Sequence, residues 1–160
     1  MNYVIHVEEL AKIRNELKHK NKKIVFTNGC FDIIHAGHVD YLTKAKELGD
    51  VLIVALNSDE SVTRIKGSKR PIVPLPERAF VISQLKAVDY VTVFEEDTPY
   101  ETIKKLVPDI LVKGADWSKE NIVGKDIVEN AGGSIETIEF ANFQSTTNII
   151  KTIVERFKEQ

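Results

Sequence analysis

Lys23-Ile-Val-Phe-Thr-Asn-Gly-Cys-Phe-Asp-Ile-Ile-His-Ala-Gly-His38 is the stretch on which the reading of this chain turns. Ile24, Val25 and Phe26 form a short apolar run of the kind buried on both faces of a parallel sheet. Asn28-Gly29 ends that strand. Val39, Leu42, Ala45 and Leu48 then recur at helical spacing, so a helix starts near Gly37, with His35 and His38 bracketing its start. A helix N-terminus presents free N–H groups and a positive dipole end, which favour a phosphate. Two imidazoles there add hydrogen-bond donors, and Gly37 leaves room for a bulky anion to approach the backbone. One histidine near a helix start is ordinarily a cap or a surface residue. Two of them flanking a glycine, directly after a strand and turn, point to a phosphate site.

Length and composition bound the rest. The 160 residues predict one domain over 1–160, with 42% hydrophobic and 29% charged residues as in ordinary globular chains. A net charge of -2 supplies no field that would draw nucleic acid or an anionic membrane, and no apolar run approaches membrane-spanning length. His6, Glu8 and Glu9 stand where a secretory leader would be apolar, and the lone Cys30 allows no internal disulfide; both suit the cytoplasm. Cys30 reads as a small residue at a strand end rather than as a nucleophile.

Outward from the central stretch, apolar strands alternate with helices. Leu10, Ile13 and Leu17 mark a first helix that ends in a run of cations from Lys18 to Lys23, read as a solvated helix end. Gly49 is the expected C-cap of the central helix, and Val51 to Leu56 a second strand. Asn57-Ser58-Asp59 caps a short helix through Arg64, and another helix starts at Pro76. Tyr90 to Phe94 is a third strand, followed by an expected capping box at Thr98-Pro99-Tyr100-Glu101. Ile110 to Lys113 is a fourth strand, Ile135 to Phe140 a fifth, and a last helix gathers Ile149, Ile150, Ile153, Val154 and Phe157 on one face. The pattern predicts an α/β fold with a five-stranded parallel sheet between two helix layers. In such sheets ligands sit at the carboxyl ends of the strands, where the strand order reverses. Asn28 to His38, Asn57 to Asp59, Lys113 to Asp116 and Gln144 to Thr147 all fall at strand ends.

Cations and hydroxyls gather near these ends. Arg64, Lys66, Lys69 and Arg70 lie in a segment, 61–76, that holds no acidic residue, and Gly67, Pro71 and Pro74 make it a loop. Beside a phosphate site such a loop reads as a flap, poorly ordered when empty, that closes over a triphosphate. Arg78 opens the next helix, where a cation opposes the dipole unless an anion meets it. Lys113 and Asp116 leave the fourth strand, and Ser145-Thr146-Thr147 offers hydroxyls and free N–H groups at a helix start.

Gly29-Cys-Phe-Asp32 with His35-Ala-Gly-His38 resembles the signature of the cytidylyltransferase-like nucleotidyltransferases. Asn57 to Val62, Lys66-Gly67, Arg70-Pro71, Arg78, Val88-Asp89, Glu95 to Pro99, Pro108-Asp109, Lys113-Gly114, Asp116, Gly132-Gly133 and Ser145 to Ile150 follow in the order found in one branch. That branch is the D-glycero-β-D-manno-heptose 1-phosphate adenylyltransferases, and the likeness runs over about residues 22 to 155. Ala115, Trp117 and Phe143-Gln144 depart from the branch pattern, and Asp116-Trp117 also resembles glycerol-3-phosphate cytidylyltransferases.

The resemblance implies a Rossmann-like α/β/α domain that transfers AMP from ATP to a sugar 1-phosphate, releasing pyrophosphate, with Mg²⁺ arriving on the ATP. It implies catalytic roles for His35, His38 and Lys66. It implies nucleotide contacts from Gly29, Cys30, Phe31, Lys113, Gly114, Ser145, Thr146 and Thr147, and substrate contacts from Asp32, Asn57, Asp59, Arg78 and Asp116; no dedicated metal ligands are expected. It also implies a homodimer, no nucleic-acid or membrane partner, and supply of the sugar 1-phosphate by a separate protein, since in many relatives a sugar kinase is fused to this domain. Two other readings stay open at this point: a cytidylyltransferase acting on glycerol 3-phosphate or another polyol phosphate, and a non-catalytic nucleotide-binding module on the same fold.

Overall fold

A computed structural model of the chain describes residues 3–115, 117–139 and 145–158. Five strands, β1 (Ile24–Gly29), β2 (Val51–Asn57), β3 (Tyr90–Phe94), β4 (Ile110–Gly114) and β5 (Ser134–Ile138), form one sheet in the order β3-β2-β1-β4-β5. All four pairings are parallel. Among the described residues seven α-helices accompany them, α1 (Val7–His19), α2 (Ala36–Glu47), α3 (Asp59–Lys66), α4 (Leu75–Ser83), α5 (Tyr100–Leu106), α6 (Lys125–Asn130) and α7 (Thr146–Phe157), with one short 3-10 turn at Lys119–Asn121.

The strand period of two sorts the core into halves. Ile24, Phe26, Ile53 and Leu111 point to one face, where Leu10 of α1, Ile103 and Leu106 of α5 and Val128 of α6 cover them. Val25, Leu52, Val54 and Val112 point to the other, under Tyr41, Leu42 and Ala45 of α2 and Ala79 and Ile82 of α4. The chain runs from β1 outward to β3 and returns to β4 beside β1, so the order reverses between those two strands. There β1 and β4 pair only at Val25↔Ile110 and Phe26↔Leu111. Beyond Leu111 the two strands share no further register pair, and it is at their carboxyl ends that such sheets form a ligand crevice.

Three local expectations change. Leu48, not Gly49, caps α2; a Cβ at Gly49 would fall 2.7 Å from Val25 Cγ2 and 2.8 Å from the Lys23 carbonyl, so the glycine is there for close approach. The capping box of α5 does not form. Pro99 is itself the N-cap, without a side-chain bond, and its carbonyl accepts from Ile103 N at 2.9 Å, so the helix starts one residue later than expected. The fifth strand covers Ser134–Ile138, and Phe140 lies outside the described residues. In α7 no residue is buried, and Ile153, Val154 and Phe157 are exposed.

Candidate active site at the switch point

The site is built on the turn that leaves β1. Phe31 takes the left-handed backbone conformation (φ 47°) and buries its ring, which turns the chain toward α2. His35, in extended backbone, is the N-cap of α2: its Nδ1 accepts from Gly37 N at 3.2 Å. A nitrogen that accepts carries no hydrogen, so the proton of neutral His35 sits on Nε2. The His38 ring lies 4.0 Å from that of His35 and 5.3 Å from that of Phe31. Its Nδ1 is buried with no hydrogen-bond partner among the described residues. A buried N–H without an acceptor costs more than a bare lone pair, so His38 too carries its proton on Nε2. Burial, and then the neighbouring His35, pull the pKa of His38 down to about 4; burial also lowers that of His35. The pair therefore meets an anion first as two preorganised N–H donors, not as two cations.

The segment between α3 and α4 is not the acid-free loop its local sequence suggests. Arg70 Nε donates to Asp32, a carboxylate 38 positions earlier, and Arg64 pairs with Asp97 at 2.7 Å. Asp32 also accepts from Ile72 N at 2.9 Å and Val73 N at 2.8 Å. Burial alone would raise the pKa of Asp32; those two amides and Arg70 outweigh it and hold the carboxylate below its ordinary value. The far half of the expected flap is thus pinned, and Asp32, expected to touch substrate, is occupied in pinning it. Lys66, the last residue of α3, and Lys69 have no ion-pair partner among the described residues. Lys66 nevertheless lies near enough to Cys30 to act on its thiol electrostatically, which brings it to the central turn.

Arg78 is the clearest departure from expectation. It is fully buried, the largest such side chain among the described residues, and not open to an acceptor phosphate. Nε donates to Val73 O (3.0 Å), Nη1 to Cys30 O (2.6 Å), and Nη2 to Asn57 O (2.9 Å) and Asp59 Oδ1 (2.7 Å). The anion that offsets the helix dipole is therefore Asp59, together with carbonyls at the carboxyl ends of β1 and β2. Asp59 spends its remaining capacity on Leu75 N at 2.9 Å, and Asn57 Nδ2 donates to Ser61 Oγ at 2.9 Å. These three predicted substrate contacts are joined to one another instead.

Across the crevice, Lys113 Nζ donates to Asn28 Oδ1 and lies 5.5 Å from the centre of the half-exposed Trp117 ring. Ser145 caps α7 by accepting from Asn148 N at 3.1 Å, and Thr146 Oγ1 donates to Ile33 O at 3.5 Å, which brings the start of α7 to the histidine turn. Gly29 and Gly114 end the two strands that flank the crevice, and Thr147 follows in the first turn of α7. Asp116, with Phe143 and Gln144, lies outside the described residues. Cys30 is half-buried with Sγ 3.9 Å from Asn57 Oδ1; burial raises its pKa despite nearby Lys66, Arg78 and Arg70. No group of three His, Cys, Asp or Glu able to hold a metal ion occurs among the described residues. Asn28 and Arg70 fall within the stretches expected at the site, but their partners, Lys113 and Asp32, lie far along the sequence and are not legible from it.

Comparison with known proteins shows the family of the chain. The family described as cytidylyltransferase-like matches residues 26–152. The chain is 51% identical over 97% of its length to the bifunctional protein HldE of Geobacter metallireducens, and 54% identical over 93% to that of Nitratiruptor sp.. It spans about a third of the length of these curated relatives, 32% and 31%. Among solved structures it resembles the lipopolysaccharide core biosynthesis protein of Thermoplasma volcanium, with a TM-score of 0.63, 30% identity and coverage of 77% of this chain and 99% of that one. A pantoate-beta-alanine ligase from Francisella tularensis shares the fold alone, with a TM-score of 0.63 at 16% identity over 98% of this chain and 80% of that one.

Proposed function

The chain belongs to the cytidylyltransferase-like family, and on that premise we propose that it transfers AMP from ATP to D-glycero-β-D-manno-heptose 1-phosphate, giving ADP-heptose and pyrophosphate. The observation that carries this reading is the pair of imidazoles at the start of α2, tilted toward each other with ring centres 4.0 Å apart, where the strand order of the sheet reverses. The identity to HldE proteins over nearly the whole chain favours the heptose phosphate over polyol phosphates.

The acceptor phosphate has a second pKa near ~6, so it is largely ionised at neutral pH and needs no general base. The task is to bring two anions together in line and to stabilise the charge on the transferring group and the leaving pyrophosphate. His35 and His38 would donate to the nucleotide phosphates. A bound triphosphate stabilises an imidazolium, so the suppressed pKa of His38 would rise on binding and add positive charge only when the substrate is present. Lys66 and Lys69 would meet the outer phosphates, with Thr146 and Thr147 on the opposite wall. Lys113, held by Asn28, would hold the nucleotide from the β4 side, and Asp116 would accept from sugar hydroxyls. Mg²⁺ would enter with ATP, bound by the triphosphate oxygens.

Pyrophosphate release is the test. ATP and CTP are each offered with Mg²⁺ and, in turn, heptose 1-phosphate and glycerol 3-phosphate. The reading expects release with ATP and heptose 1-phosphate above the other combinations. Preference for CTP with glycerol 3-phosphate would replace it with the cytidylyltransferase reading. Nucleotide binding without turnover on any acceptor would make the chain a binding module.

A further inference from the structure

Asp32 and Arg78 hold one short piece of chain from both sides. Asp32, buried after the β1 turn, accepts from Ile72 N (2.9 Å) and Val73 N (2.8 Å) and takes Arg70 Nε. Arg78 donates to the carbonyl of the same Val73 (3.0 Å) and to that of Cys30 (2.6 Å), two residues before Asp32. At the other end of the segment, Thr63 Oγ1 donates to Arg70 O (2.7 Å), Gly67 N to Thr63 O (2.9 Å) and Arg70 N to Gly67 O (3.0 Å). These bonds close a neck. What projects from it is a tongue of four residues, Lys66-Gly-Ser-Lys69, with Gly67 at φ 96° and open space around its missing side chain. Ser68 and Lys69 have no backbone acceptor for their amides among the described residues. The bonds that locate this tongue run to the turn that carries the histidines.

We propose that Asp32 and Arg78 are a two-sided clamp that fixes the root of the Lys66–Lys69 tongue relative to His35 and His38, and that Asp32 acts on the reaction through Lys66 as a positioning residue and not as a substrate contact. The assignment deepens the adenylyl-transfer reading and rests on it for its kinetic arm. The clamp makes the tongue the part free to adjust to a triphosphate, while its root stays in register with the imidazole donors. Misplacing a group at this kind of site by about 1 Å costs up to ~10²-fold in rate.

The test joins amide hydrogen exchange to a double-mutant cycle. In the wild type the Ile72 and Val73 amides should exchange slowly and those of Ser68 and Lys69 fast. Asp32→Ala should accelerate Ile72 and Val73 by at least about tenfold while the His38 amide stays protected. Arg70→Ala, at the rim, leaves both amide bonds to Asp32 intact and serves if Asp32→Ala does not fold; a smaller acceleration at the same two amides is expected, reversed by Arg70→Lys. In pyrophosphate release, Asp32→Ala and Lys66→Ala should each lower kcat/KM for ATP, and the double variant should lose little more than Lys66→Ala alone. Additive losses would mean that Asp32 works independently of Lys66 and would overturn the proposal. Unchanged exchange at Ile72 and Val73, or equal loosening of His38, would overturn it too. If the wild type releases no pyrophosphate, the functional reading fails by itself while the exchange arm still decides the clamp.

Discussion

Lys113 Nζ reaches from β4 to Asn28 Oδ1 on β1 where the two strands no longer share a ladder. This side-chain bond ties the two strand ends together just past the point where backbone pairing stops, next to the histidine turn. Asn28→Ala is expected to lower kcat/KM roughly tenfold through a displaced Lys113. Since Lys113 has further interactions, the urea midpoint should move little. A large loss of stability with full activity per folded molecule would make the bond purely structural.

His38→Ala is expected to lower kcat by at least ~10²-fold in a folded protein, the typical effect of removing one preorganised donor to developing charge. Circular dichroism establishes the fold and pyrophosphate release the rate. Near wild-type turnover would remove His38 from the reaction.

Stability should fall with pH in two separate windows. Folded His38 resists protonation down to about 4, whereas the unfolded chain takes up that proton near the ordinary 6.5. Its contribution is therefore complete above pH ~6.5 and declines toward pH ~4, by at most about 3 kcal/mol. Asp32 has the opposite origin: its folded carboxyl is lowered, so its contribution is present above ~3.9 and is lost only as pH falls through the lower folded value. His38→Asn should reduce the slope of the upper window alone, leaving there the contribution of His35, whose pKa burial also lowers. Urea unfolding at half-unit pH steps measures both, and an unchanged slope between pH 6.5 and 4 in that variant would contradict the assignment.

Cys30→Ala should retain substantial activity, because a phosphate acceptor attacks directly and no covalent intermediate on the protein is required. The wild-type thiol should alkylate slowly at pH 7.5, since burial raises its pKa and the thiolate is the reactive form. Isolation of a nucleotidylated Cys30 is the result that would reverse this.

Arg78→Ala should destabilise the protein by about 3–5 kcal/mol, as expected when one partner of a buried charged network is removed. The cost falls on the carbonyls of Cys30, Asn57 and Val73 and on Asp59, which lose their donor together. A variant of wild-type stability whose only defect is a raised KM for the acceptor would return Arg78 to the substrate.

The strand, turn and helix around Ile24–Val39, the five-stranded parallel sheet and the placing of His35, His38, Lys113 and Thr146 at one sheet edge were legible without coordinates. Those features follow from local periodicity, and the parallel α/β rule then puts every strand's carboxyl end on the same side. Charge in the 61–76 segment was misjudged because acid-free in sequence is not acid-free in space: Asp32 and Asp97 come from other elements. Arg78 looked like an anion-binding residue for the same reason, since its four acceptors lie on three other segments of the chain. The sequence by itself determined which residues form strands and helices and which turn carries the two histidines at the start of a helix, since these depend on neighbours within a few positions. Only the tertiary structure decided which of the gathered polar groups stay free for a ligand and which neutralise one another, because burial makes each charge take the nearest partner in space, however distant along the chain.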